Sequence, residues 1–160
     1  MTVRRNYQPP RWAAAALLVD KAGRYLMQHR DDFAWINYPN CWGSFGGAVE
    51  RGERPADTLR RELREEIGYD APAVRPFTTL RLVMPYAEPR RERIDYFVVP
   101  IREVDLPRLV LGEGRAFGLF TPEEMAQELE VAPWDLCAIL MHALADALFV
   151  APVPRPPGRK

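Results

Sequence analysis

The chain has 160 residues, 48% of them hydrophobic and 28% charged, and Lys+Arg and Asp+Glu both number 22, for a formal net charge of zero. That length suits one domain built on one core. The even charge argues against a partner held by bulk electrostatics, such as duplex nucleic acid or an anionic membrane.

Two cysteines, Cys41 and Cys137, stand outside any metal-type spacing and read as free thiols of a reducing compartment. The apolar run 13–19 is too short to cross a bilayer. No charged start, long apolar stretch and small-residue cleavage site follow one another. A cytoplasmic location is the expectation.

Along the chain, residues 1–11 contain Pro9 and Pro10 without any periodicity and read as a flexible arm in front of a domain over 12–150. The apolar runs 13–19 and 25–28 flank Asp20-Lys21-Ala22-Gly23, which predicts a hairpin. Residues 31–41 read as a loop, and 42–49 is a glycine-rich entry with Gly43, Gly46 and Gly47. Pro55 suits the first turn of a helix and Gly68 its end, with Ala56, Leu59, Leu63 and Ile67 recurring at helical spacing between them. Strands are expected over 74–84 and 94–101, joined by a polar connection rich in Arg and Pro, and over 116–120. Thr121-Pro122 reads as the N-cap and first residue of a helix. A further helix is expected over 134–149, followed by a disordered Pro-rich tail over 151–160.

The helix between Pro55 and Gly68 carries the chemistry. At about 100° per residue, Glu66 lies about 40° to one side of Glu62 and Glu65 about 60° to the other. The three carboxylates therefore share one arc beside the apolar stripe, while Arg60, Arg61 and Arg64 fall on the remaining side. A helix that is merely solvated and laced with salt bridges alternates its charges at three and four residues. Here Glu62 and Glu66 are like charges at that spacing, and only Arg61 has opposite-charge helical neighbours, Asp57 and Glu65. A hard divalent cation takes oxygen ligands and would remove the carboxylate repulsion. Geometry alone leaves the metal-binding and the solvated readings both open. Gly46-Gly47 in front of the helix permit close backbone approach to a ligand, or simply a tight turn.

The stretch from Gly47 through Glu53, Arg61-Glu62-Leu63, Glu65-Glu66 and Gly68 to Tyr69 resembles the Nudix box: Gly, then Glu, then Arg-Glu-aliphatic-any-Glu-Glu-any-Gly-aliphatic at the family's spacing. Each fixed residue type makes up about one in fifteen of ordinary composition, so a match at every fixed position is far from chance. Tyr69 is the one departure, standing where the family usually has an aliphatic residue, and it is expected to affect packing rather than chemistry.

The resemblance implies an α+β fold, a mixed β-sheet sandwiched between α-helices. It implies hydrolysis of a nucleoside diphosphate linked to another group. Glu62, Glu65 and Glu66 match the family's metal positions, with a carbonyl of Gly46 or Gly47 completing the set. The implied cofactor is Mg²⁺, with Mn²⁺ as a substitute. The general base is implied to be Glu62 or a carboxylate on a later loop, where Glu113 stands between Gly112 and Gly114. Glu113 reads equally well as a turn residue. Glu53 and Arg61 match a structural pair bracing the loop against the helix.

Arg30 is a candidate phosphate contact, whereas Arg90, Arg91 and Arg93 fit a solvated connection better. His29 and His142 read as structural, and Trp12, Trp35 and Trp42 as packing before base stacking. Pro85 stands where the family places a proline in ADP-ribose hydrolases, and Tyr86 where it places a tyrosine in hydrolases of dinucleoside polyphosphates, so the two hints conflict. The resemblance favours (d)NTPs, oxidised ones included, with ADP-ribose or nucleotide sugars as the alternative. Some Nudix-like domains are catalytically silent nucleotide-binding modules, but these usually lose box carboxylates that this chain retains. A small-molecule nucleotide is the expected partner, with no nucleic acid polymer and no membrane, and homodimerisation is left open.

Overall fold

Residues 11–34, 36, 38–84 and 90–145 are described in a computed structural model of the chain. The expected tail lies outside them, as does most of the expected arm, although Arg11 already opens the first strand.

Strands β1 (Arg11–Val19) and β2 (Tyr25–His29) form the expected hairpin. Its turn is closed by Asp20, whose Oδ1 accepts from the amides of Ala22 and Arg24, each at 2.9 Å. Pairing lasts only through Leu18↔Leu26 and Val19↔Tyr25. Beyond that point the hairpin opens, and the glycine-rich segment fills the fork. Strand β3 (Trp42–Gly43) pairs with β2, and β4 (Gly46–Ala48) pairs with β1, both antiparallel. Only glycine fits at position 46, where φ is 141° and a Cβ would fall 2.1 Å from the Ala14 carbonyl oxygen.

Helix α1 (Pro55–Ile67) follows, with proline in its first turn. It ends where Gly68 turns left-handed (φ 65°) and the amides of Gly68 and Tyr69 return to the carbonyls of Arg64 and Leu63, each at 3.0 Å. Strands β5 (Arg75–Met84) and β6 (Arg90–Pro100) pair antiparallel. Strand β6 also runs parallel to β1, from Arg11↔Glu92 to Val19↔Pro100. It therefore begins ahead of the expected start at 94, and Arg90, Arg91 and Arg93 belong to the ladder rather than to a connection, Arg90 and Arg91 remaining exposed. Backbone pairing with β1 and β5 supplies partners that a locally polar sequence does not advertise. The sequence also gave no hint of the short 3₁₀ helix Glu103–Arg108.

Strand β7 (Ala116–Phe120) covers the other edge of β2. Thr121 caps α2 (Pro122–Gln127) through a reciprocal box with Glu124. Helix α3 begins at Pro133 and runs to Ala143; the expected extension to 149 goes beyond the described residues.

The seven-stranded sheet is mixed and has helices on both faces. Alternation along β1 sends Ala14, Ala16 and Leu18 towards Leu59, Leu63 and Ile67 of α1. Ala15 and Leu17 go to the opposite face, where Met125 of α2 and Ala138 and Ile139 of α3 complete a second core. Tyr69 is buried beside α1 and donates to the Pro100 carbonyl at 2.7 Å, so its role is packing with one hydrogen bond added. Among the described residues no helix is long and apolar enough to cross a membrane.

Candidate active site

The opened hairpin sets α1 against the glycine segment. A Cβ at Gly47 would lie 2.4 Å from the Glu62 carboxyl carbon, so only a glycine leaves room for that carboxylate. One turn on, Glu66 is 6% exposed and its Oε2 accepts from the Gly46 amide at 2.9 Å. Burial, reinforced by the charges of Glu113 and Glu62, pushes the Glu66 carboxyl up to about 8 against the pull of that amide. Burial also raises Glu62, which the adjacent Arg61 opposes and the charges of Glu65 and Glu113 favour. The three box carboxylates therefore differ: Glu66 is buried, Glu62 half-buried and Glu65 exposed.

Arg61 organises the outer side of the cluster. Its Nε and Nη2 each donate to Glu53 at 3.0 Å, and Thr58 adds a bond to Glu53 at 2.7 Å. Together these hold the Glu53 carboxyl down at about 2, the Arg61 hydrogen bonds being the largest cause. These bonds join Arg61 of the helix to Glu53 in the loop before it. Arg61 Nη1 also reaches Glu62 at 2.7 Å and Glu65 at 3.2 Å. The pairing with Asp57 allowed by helical spacing is not made, because Asp57 is taken by Arg54 at 2.7 Å.

Glu113 is brought to the same place by backbone bonds on either side of it. Gly112 donates to the Glu66 carbonyl at 2.7 Å, Gln28 Nε2 donates to the Glu113 carbonyl at 2.9 Å, and Gly114 donates to Asp31 at 3.2 Å. Glu62, Glu66, Glu113 and Arg30 all border one cavity of about 720 Å³. Glu65 does not border it, and Pro85 and Tyr86 lie outside the described residues.

Several residues of this cavity were not legible in sequence. Asp135 at the start of α3 is buried and spans two elements, accepting from the Tyr96 hydroxyl at 2.7 Å and the Ser44 amide at 3.0 Å. Burial raises its carboxyl above the usual range. Nothing local marks it, since Ser44 and Tyr96 meet it only through the tertiary fold. The expected structural roles of the other aromatics fit the geometry. His29 stacks on Trp42 with ring centroids 4.9 Å apart, His142 Nδ1 meets the Tyr25 hydroxyl at 2.6 Å, and Trp12 donates to Asp95 at 2.7 Å. Trp35 lies outside the described residues. Cys41 and Cys137 are both free.

Among the described residues no three carboxylate, imidazole or thiol groups converge as a closed cation cage. Arg61 is bonded to Glu62 and Glu65, and Glu66 is turned to the Gly46 amide. The donor set still suits a hard divalent cation: burial, and after it the like charges of Glu113 and Glu62, disfavour the ionised Glu66 carboxylate, a conflict such a cation relieves.

The mixed sheet between helices, with this acidic helix set against a glycine segment, matches known proteins. Residues 9–139 match the NUDIX domain. Over 135 residues the chain is 31% identical to the nucleoside triphosphatase NudI of Salmonella newport (strain SL254), covering 80% of this chain and 90% of that protein. The solution structure of the E. coli ORF135 protein superposes with a TM-score of 0.69 at 26% identity, over 90% of this chain and 96% of that one. The E. coli dihydroneopterin triphosphate pyrophosphohydrolase has a TM-score of 0.68 at 20% identity, over 87% and 98% of the two chains, and is a likeness of fold. The class so defined is a hydrolase of acid anhydrides in phosphorus-containing compounds. The chain belongs to the Nudix family, whose hydrolases generally use divalent metal ions.

Proposed function

We propose that the chain is a pyrophosphohydrolase of nucleoside triphosphates, oxidised deoxynucleotides included, working with Mg²⁺ or with Mn²⁺ in its place. The observation that carries this reading is the single cavity on which Glu62, Glu66, Glu113 and Arg30 converge. The 31% identity to a nucleoside triphosphatase supports the substrate class over ADP-ribose or nucleotide sugars.

In this reading Glu62, Glu65 and Glu66, with a carbonyl of Gly46 or Gly47, hold the metal. When bound, it polarises a phosphoryl oxygen and neutralises charge that develops at phosphorus. Arg30 holds a phosphate on the cavity wall. Glu113, or Glu62, takes a proton from the attacking water, whose oxygen bonds to phosphorus as the anhydride P–O bond breaks. Glu53 and Arg61 keep the loop and helix in register. The free cysteines fit a cytoplasmic enzyme.

The test is a hydrolysis screen with Mg²⁺ against dNTPs, 8-oxo-dGTP, ADP-ribose, nucleotide sugars and diadenosine polyphosphates, run beside Glu66→Gln and Glu113→Gln. Triphosphate turnover lost in Glu66→Gln, and reduced at least about a hundredfold in Glu113→Gln, is the expected result. Turnover confined to ADP-ribose or a nucleotide sugar would move the substrate class to the alternative. A folded protein that binds nucleotides, hydrolyses none and is indifferent to Glu66→Gln would be a binding module.

A further inference from the structure

Among the described residues three buried side-chain atoms have no hydrogen-bond partner: Arg30 Nε, Ser44 Oγ and Glu92 Oε1. All three residues line the same cavity. Buried polar groups in native folds are nearly always satisfied, so unpartnered ones gathered at one cavity point to a polar ligand. Glu92 is the least expected of them. It is 8% exposed, stands on β6 and belongs neither to the box nor to the Glu113 loop.

The sheet register gives its place relative to the acidic helix. On one rung Ala48 of β4 faces Ala13 of β1, which faces Ile94 of β6. Gly47 of β4 lies against the Glu62 carboxylate. Neighbouring strands are about 4.8 Å apart, so β6 runs roughly two strand widths from the β4 edge where Glu62 lies. Between them the cavity passes over Ala13 and Ala15, whose small side chains leave it open. Strand alternation puts Glu92 and Ile94 on one face, and both border the cavity, as does Trp134. A nucleotide whose phosphates lay at Glu62 and Arg30 would span this floor and bring its base to the wall of Glu92, Ile94 and Trp134, which Arg11 and Arg90 also border.

We propose that Glu92 determines base specificity, its carboxylate accepting a hydrogen bond from an exocyclic amino group of the substrate's nucleobase. This rests on the nucleotide-hydrolase reading for the orientation of the ligand. A carboxylate only accepts, so an amino group satisfies it, while a keto oxygen at the same position meets it acceptor to acceptor. A site built for a partner rejects the analogue lacking it more strongly than an apolar site rejects extra bulk. Cytosine is thereby favoured over uracil, and adenine over hypoxanthine.

The experiment is isothermal titration of the full chain with CMP against UMP and with AMP against IMP. It is repeated with Glu92→Leu and with the isosteric Glu92→Gln, and accompanied by kcat/KM for dCTP and dUTP. The wild type should bind the amino member of at least one pair about tenfold tighter or more. Glu92→Leu should abolish that ratio, and Glu92→Gln, which keeps the volume and the fold, should reduce it. Equal binding of both members, no binding of either, or a ratio that survives both substitutions overturns the proposal. A wild type that hydrolyses triphosphates without the ratio removes the role of Glu92 and leaves the hydrolase reading standing. A ratio that collapses in the variants while no triphosphate is hydrolysed does the reverse.

Discussion

Gly46 and Gly47 are adjacent, and each is required for a different reason. A Cβ at Gly46 would strike the Ala14 carbonyl oxygen at 2.1 Å, a backbone atom with no room to retreat, and φ is 141°. A Cβ at Gly47 would strike the far end of the Glu62 side chain, which can swing away. Gly46→Ala should therefore break the β4–β1 pairing and lower Tm sharply. Gly47→Ala should fold with a Tm near wild type but lose about a hundredfold in kcat/KM, because Glu62 is displaced from its place on the cavity wall. Melting curves and steady-state rates on the two variants separate these outcomes. Equal losses of stability in both would mean that Gly47 serves the fold and not the carboxylate.

At the scale of elements, the hairpin that opens after two rungs makes the site. Its fork admits β3 and β4, and these carry the glycines to α1. Helix α1 was legible in sequence because its signals are local: Pro55 at the start, Gly68 at the end, and apolar residues at helical spacing between. The hairpin was legible from two apolar runs around Asp20 and Gly23, but its fork was not, since two-residue β3 carries no periodicity to read. The β6 start and the residues Ser44, Tyr96 and Asp135 were missed because their partners lie far along the chain; Glu92 was missed because only the sheet register brings it to the cavity. Asp135 joins α3 to the β3–β4 turn through Ser44 and to the sheet through Tyr96. Removing its carboxyl leaves two buried donors unpartnered, and each costs about 1–3 kcal/mol. Asp135→Ala should therefore lose on the order of 2–4 kcal/mol in urea unfolding. A loss under about 0.5 kcal/mol, within the range of ordinary surface substitutions, would show that the turn is held by other contacts.

For the molecule as a whole, the acidic cluster sets two opposed pH dependences on stability when divalent cations are chelated. Glu53 is held at about 2 by Arg61, below its ordinary 4.5. The folded state therefore releases that proton more readily, so the contribution is present above about 4.5 and is lost as pH falls towards 2. Glu66 is displaced the other way, to about 8 by burial. The folded state holds its proton while the unfolded chain ionises, so stability falls as pH rises from 4.5 to about 8 and then levels. Thermal unfolding in chelator should show both limbs. Glu53→Gln should flatten the acid one and Glu66→Gln the alkaline one, with Glu66→Gln more stable than wild type at pH above 8. Adding Mg²⁺ at that pH should raise the wild-type Tm and leave Glu66→Gln nearly unmoved, because the cation binds the ionised carboxylate and relieves its repulsion from Glu62 and Glu113. Parallel profiles for wild type and Glu66→Gln would mean that the Glu66 carboxyl is solvated in the folded protein and contributes no such cost. On the proposed reading, the position that would help hold the cation is one that makes the unliganded fold weaker at neutral pH, and a bound cation would restore the stability it removes.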